Sequence, residues 1–302
     1  MTAQHHRRTV VVGVDGSEEA LRAVRWGAVA AARRHTPLRL VHAFDWAVDR
    51  VVGQPGLGED YHDILLANGR RLLTEAADLA EGHAPGIEIE EQLIVGYPIE
   101  VLGDESRRAE MLVVGDRGLT RFAELLAGSV ATALAAHGEC PVVVTRGLEQ
   151  ETSDAAGPVV VGVDGTPVSE AAIAFAFETA SALHAPLVAV HAWTTPLVGT
   201  VPVDPVVLAA VEGAANEILA ERLAGWGEKY PDVAVRRVVV NDRPVRALAR
   251  EAERAQLMVV GSRGHGLVAG MVLGSVSHVL VHRAPCPVAV IRPETATPVA
   301  LP

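Results

Sequence analysis

The chain is poor in the residues that staple or wrap a small fold. It has two cysteines in 302 residues, Cys140 and Cys286. That excludes a disulfide framework and predicts a reducing compartment. Aromatic residues make up 4% of the chain, so the core has to rest on Val, Leu, Ile and Ala. No C-x-x-C or H-E-x-x-H spacing occurs, and no residue is assigned to a metal. There is no G-x-x-x-x-G-K-[ST], and neither V-D-G turn continues as G-x-G-x-x-G, which argues against a P-loop ATPase and a dinucleotide-binding dehydrogenase. Basic charge is also in deficit, with 26 Lys and Arg against 37 Asp and Glu, a net charge of −11. A chain of that sign is poorly suited to sequence-independent nucleic-acid binding or to an anionic membrane surface. Long apolar runs are missing. The longest uncharged stretch, 183–203, is broken by Pro186, Pro196 and Pro202, and reads as a strand and a loop rather than a membrane span. The first twenty residues carry no apolar run of signal-peptide length. These absences together predict a cytoplasmic protein.

What is present is written twice. VVVGVDG stands at 10–16 and at 159–165, and VHA at 41–43 and 190–192. VVGDRG at 113–118 matches VVGSRG at 259–264, and Cys140-Pro141-Val142 matches Cys286-Pro287-Val288. A repeat of this length is a duplicated domain, not a solenoid unit. The reading is a first domain over 1–146, a polar linker over 147–157, a second domain over 158–294 and a tail over 295–302. Within the first copy, β-branched apolar runs alternate with helical segments. Strands are predicted at 9–14, 38–44, 87–95, 111–114 and 142–145. The first helix starts after Ser17, a favoured N-cap, with Glu18 and Glu19 in its first turn, and runs to about His35. A second helix is predicted over about 61–81, a third from Pro98 and a fourth from Ser129. The 87–95 strand alternates in part and belongs near a sheet edge. Strands separated by helices pair in parallel through right-handed crossovers. The fold class is α/β: two tandem, doubly wound, five-stranded parallel sheets, Rossmann-like, with strand order 3-2-1-4-5.

In such sheets ligands bind beyond the carboxyl ends of the strands, where the strand order reverses. With the order 3-2-1-4-5 that crevice lies between strands one and four. Gly13 and Asp15 should then face Gly115 and Gly118, and Gly162 and Asp164 should face Gly261 and Gly264. The spacing G-x-x-G, nine residues, G-S occurs in both copies, ending at Gly128-Ser129 and at Gly274-Ser275. Glycines allow close backbone approach to a ligand, and the helix that follows presents free N–H groups and a positive dipole end to an anion. Ser129 and Ser275 add hydroxyl donors, Val130 and Val276 follow in the first helical turn, and Arg117 and Arg263 can pair with phosphate. This is chemistry for a nucleotide polyphosphate, with Asp15 and Asp164 as acceptors for an adenine amine or a ribose hydroxyl. The blander reading is that each aspartate only caps a D-G turn. His42 and His191 read as hydrogen-bonded core or crevice residues, and the two cysteines as small buried hydrophobes.

VVVGVDGS, the spaced glycine loop and the A-x-C-P-V-x-V-x-R ending at Ala284–Arg292 resemble the universal stress protein family, in the tandem, ATP-binding form found in actinobacteria. The resemblance spans about 8–146 and 157–292. It implies ATP, with Mg²⁺, as the bound group. It also implies that Asp15 and Asp164, with a backbone group at Ala43 and Ala192, contact adenine, and that the loop glycines and G-S pairs hold ribose and phosphates. The implied function is a nucleotide-dependent stress-response or growth regulator, a homodimer with a protein partner yet to be identified. The apolar fifth strands are expected to join the two halves as a pseudo-dimer. The alternatives are a slow ATPase or phosphotransferase, with Asp15 and Asp116 as its candidates, and a nucleotide-free interaction module. The copies differ at Asp116 against Ser262 and at Thr120 against Gly266. A carboxylate at 116 either repels phosphate or helps to hold Mg²⁺.

Overall fold

A computed structural model describes residues 9–44, 59–116, 129–146, 157–194, 204–264 and 273–293. The chain divides into two compact units, Met1–Arg146 and Gly147–Pro302. The first runs β1 (Thr9–Gly13), α1 (Glu18–Arg34), β2 (Leu38–Phe44), α2 (Glu59–His83), β3 (Ile89–Val95), α3 (Pro98–Ser106), β4 (Ala109–Gly115), α4 (Ser129–His137) and β5 (Val142–Thr145). Its strands are parallel in the order β3-β2-β1-β4-β5. The second runs β6 (Val159–Gly162), α5 (Pro167–Ala182), β7 (Leu187–Trp193), α6 (Pro205–Arg222), α7 (Trp226–Lys229), β8 (Val235–Asn241), α8 (Pro244–Glu251), β9 (Leu257–Gly261), α9 (Ser275–Arg283) and β10 (Val288–Ile291). Its strands are parallel in the order β8-β7-β6-β9-β10. The order 3-2-1-4-5 is therefore realised in both units.

The central strands explain the layering. Val10, Val11 and Val12 of β1, and Val159, Val160 and Val161 of β6, are fully buried. Valine suits a strand because its branched side chain packs on the pleat, and each such burial stabilises by about 1.5–3 kcal/mol. A parallel strand with no polar face needs helices on both sides. In the first unit α1 and α2 pack side by side on one face of the sheet and α3 and α4 on the other, and α1 does so through small residues, among them Ala23, Ala28 and Ala31. Ser17 starts α1 from an extended conformation, its hydroxyl accepting the Ala20 N–H at 3.1 Å. The helix stops at His35, which turns left-handed at φ 54°. β3 pairs with β2, and its residues are half-buried to exposed, as its partial alternation predicted.

Strand β3 begins two residues later than the 87 read from the sequence and β4 extends beyond 111–114 at both ends, and two helical features also differ. The second helix is longer at both ends than 61–81, because its polar first and last turns continue the helical hydrogen-bonding. The second unit also carries α7, without a counterpart among the described residues of the first. Trp226 and Tyr230, at its two ends, stack on buried Phe177 of α5 with ring centroids 5.2 and 5.7 Å away, and the Lys229 ammonium lies over both rings. An aromatic cover of this kind adds pair energy beyond its buried area.

Cys140 and Cys286 are buried, each just before a proline that leads into a strand. Burial pushes both thiols up to about 12. Folded protein should therefore leave both unlabelled by iodoacetamide at pH 8, and urea-unfolded protein should take two labels. The folded state holds these thiol protons more tightly than the unfolded chain, where a cysteine titrates near 8.5. Their contribution to stability is full below that value and is lost as pH rises toward 12. Unfolding free energies measured between pH 8 and 11 should fall accordingly, and less steeply once Cys140 and Cys286 are both replaced by Ala.

Candidate functional site

Each site begins where the central strand leaves the sheet. β1 stays in register with β2 as far as Gly13 opposite Val41. The Val14 N–H continues the ladder to the Val41 carbonyl at 2.9 Å, and the chain then turns at Asp15-Gly16. Gly16 has φ +83°, which a residue with a side chain adopts only under strain. The second unit repeats this, with Val163 N–H to the Val190 carbonyl at 2.9 Å and Gly165 at φ +82°.

The aspartates shape these turns. Asp15 Oδ1 accepts the Ser17 N–H at 2.9 Å and the Ser17 hydroxyl at 2.6 Å. Asp164 Oδ1 accepts the Thr166 N–H at 3.0 Å and the Thr166 hydroxyl at 2.7 Å. Both are aspartate turns that feed a helix N-terminus. The turn-capping reading thus holds for one oxygen of each carboxylate. The other oxygen of Asp164 faces the glycine loop: a Cβ built on Gly264 would lie 2.5 Å from Asp164 Oδ2. The structure brings Asp164 and Gly264 together, as the strand order predicts.

The loop that leaves β9 is closed at its base. The Gly274 N–H donates to the Ser262 carbonyl at 2.7 Å, so the excursion returns to the point it left. The Ser277 hydroxyl donates to the Gly261 carbonyl at 2.5 Å and ties α9 to the end of β9. The Ser262 N–H donates to the Ile291 carbonyl of β10 at 2.7 Å. The first intrahelical bond of α9 runs from the His278 N–H to the Gly274 carbonyl at 2.9 Å. The amides of Ser275, Val276 and Ser277 precede it, so they form the donor-rich, positive end of the helix. Ser275 is exposed there, Val276 is half-buried, and Arg263 is exposed on the loop's first arm. Ser129 and Val130 hold the matching places in α4, exposed and half-buried. Arg117, Gly118, Thr120 and Gly128 of the first loop, and Gly266 of the second, lie outside the described residues.

The remaining glycines pack against the fold. A side chain on Gly13 or Gly162 would meet Leu102 of α3 or Leu248 of α8, and one on Gly115 or Gly261 would meet Glu19 of α1 or Val168 of α5. Ala43 and Ala192 are half-buried near the ends of β2 and β7. Just before each, an imidazole Nδ1 lies 2.7 Å from a backbone carbonyl, His42 on Val14 and His191 on Val163. A carbonyl only accepts, so Nδ1 carries the proton in both rings.

Asp116 meets a basic side chain. Its carboxylate lies 3.5 Å from the Arg146 guanidinium, with the two side chains 10% and 17% exposed. The pair joins the ends of β4 and β5. Among the described residues no three His, Cys, Asp or Glu side chains cluster to hold a metal ion. Sequence reasoning also passed over the Ser17 and Thr166 bonds to the aspartates and the Ser277 tie. The D-G-[S/T] triplet, present in both copies, was the available signal for the first two. Ser277, matched by Ala131, had none. Replacing Ser17 by Ala removes the hydroxyl bonds to Asp15 and Ala20, and should cost about 1 kcal/mol in urea unfolding, the usual effect of losing such a cap.

Known proteins resemble both halves of the chain. The sequence profile described as "Universal stress protein family" matches residues 6–146 and again 156–292. The chain is 41% identical over 296 residues to the universal stress protein Rv2005c of Mycobacterium tuberculosis, covering 97% of this chain and 99% of that one. It is 38% identical over 291 residues to a universal stress protein of Mycolicibacterium smegmatis, covering 94% and 97%. A universal stress protein from Archaeoglobus fulgidus has a similar fold, with a TM-score of 0.67 at 20% identity, covering 94% of this chain and 96% of that chain. With both halves matched and relatives aligned over nearly its whole length, the chain belongs to the universal stress protein family.

Proposed function

We propose that each half binds one adenine nucleotide, ATP accompanied by Mg²⁺, at the carboxyl ends of its sheet, and that the protein works as a nucleotide-dependent stress or growth regulator. The observation that carries this reading is the meeting of the Asp164 carboxylate, the Gly264 backbone and the N-terminal end of α9 around one crevice. A carboxylate takes hydrogen bonds from an amine or a sugar hydroxyl, while the amides at the start of a helix take phosphate. Gly264 carries no side chain where one would strike the carboxylate. Asp15 and the start of α4 occupy the corresponding places in the first half. The described residues offer a cation no cage of their own, so Mg²⁺ would be held mainly by phosphate oxygens. The output is a change in shape or in partner, and the protein is expected to act in the cytoplasm as a homodimer.

Purified protein, denatured and analysed by chromatography, should release about two ATP per chain on this reading. Asp164→Asn keeps the Oδ1 bonds to Thr166 but places an amide donor at one carboxylate oxygen, so it should release about one. Gly264→Ala should do the same by pushing a methyl group into the carboxylate. No nucleotide in any sample, and no binding of added Mg-ATP, would overturn the proposal. Steady phosphate release with added ATP would move the reading to a slow ATPase.

A further inference from the structure

In a parallel ladder a residue's N–H and C=O reach to two residues of the neighbouring strand, one on each side of its partner. With Val14 N–H on the Val41 carbonyl, the regular donor to the Val14 carbonyl would be the Ala43 N–H. The imidazole of His42 is in that place, at 2.7 Å. The second unit is the same: Val163 N–H is on the Val190 carbonyl, the Ala192 N–H is the regular donor to Val163, and His191 stands in for it at 2.7 Å. The direction of the freed peptide follows from the ladder. Alternate residues of a parallel strand turn both N–H and C=O to the same neighbour. Val41 bonds toward β1 and Phe44 toward β3, where the Gly96 N–H reaches the Phe44 carbonyl at 2.9 Å. Ala43 therefore points its N–H and C=O toward β1, into the space that β1 vacates after Val14. Ala192 does the same toward β6, since Val190 bonds to Val163 and Leu187 bonds to Ala234 on the β8 side.

We infer that His42 and His191 are positioning residues that hold open a base-reading edge: each imidazole occupies the carbonyl that would otherwise capture the next peptide N–H, and so leaves the Ala43 and Ala192 donor–acceptor pairs facing the crevice. This rests on the nucleotide reading above and deepens it. A peptide N–H beside a peptide C=O matches the ring acceptor and amine donor on the Watson–Crick edge of adenine. Guanine presents the inverse pattern there and would leave both groups unpaired, which is a strong basis for discrimination. The same imidazole bond pins the residue just before Asp15 or Asp164. One side chain thus sets both polar groups that would address the base.

The test is amide hydrogen exchange on nucleotide-free protein, with nucleotide binding measured in parallel. In the wild type the Ala43 and Ala192 amides should exchange faster than the ladder amides beside them. His191→Phe removes the ring donor, so the Ala192 N–H should close onto the Val163 carbonyl and become protected, while Ala43 stays as it was. In binding, His191→Phe should weaken ATP at the second site by roughly tenfold, the scale of one hydrogen bond to a buried partner, and should erase the preference for ATP over GTP. His191→Asn puts an amide N–H close to where Nδ1 stands and should restore both readouts. If the Phe variant does not fold, His191→Ala carries the same exchange measurement. Protection of Ala192 in the wild type, or a Phe variant with unchanged exchange and selectivity, would overturn the inference. The exchange result is read without nucleotide, so wild-type protein that binds no ATP sinks the nucleotide reading while exchange still decides the role of the imidazole.

Discussion

The site depends on the parting of the central strand from its neighbour. A parallel sheet satisfies backbone groups only while both strands run together. After Val14 and Val163 the central strands turn away, and each departure creates polar edges that need partners. Those edges are met in a fixed order. A histidine takes the last carbonyl, an aspartate gathers the next amide and hydroxyl, and the helix that follows starts from that hydroxyl or from Pro167. The crevice is the remaining space between this turn and the strand on its other side. It exists because β1 and β4, or β6 and β9, send their helices to opposite faces of the sheet, which follows from the strand order.

The glycines divide into two kinds on physical grounds. Those at the ends of the strands let helix residues and leucine side chains sit against the sheet, and they serve packing. Gly264 meets a carboxylate instead of carbon, so its missing side chain leaves space at a charged group. The loop that carries it is fixed where it leaves and where it returns, by Ser262, Gly274 and Ser277. A loop tied at its base presents the start of a helix in a set direction, and direction is what lets helix amides address an anion.

The two halves share this frame and differ in charge. In the first, Asp116 and Arg146 neutralise one another at the strand ends, largely out of solvent. In the second, Ser262 holds the matching place and its backbone carbonyl closes the loop. Both halves keep the arginine, Arg146 and Arg292, so the exchange of Asp116 for Ser262 removes only the negative partner and changes the local field at the strand ends, at short range and with little screening. Duplication thus supplied two scaffolds of the same topology with different electrostatics.

Much of this was legible in the amino-acid order. Alternating β-branched runs and amphipathic segments called for parallel strands, the repeated spacing called for two units, and the crossover rule put Asp164 opposite Gly264. These properties follow from periodicity and chain connectivity, which a linear sequence carries. The sequence did not disclose that His42 and His191 replace a ladder donor, that Asp116 meets Arg146 thirty residues on, that Ser277 ties a helix to a strand, or which glycines pack and which line the crevice. Each of these depends on where a strand stops pairing and on which atoms then come within hydrogen-bonding distance. Those distances arise only when the two sheets are twisted, covered and closed, so the tertiary structure alone decided them.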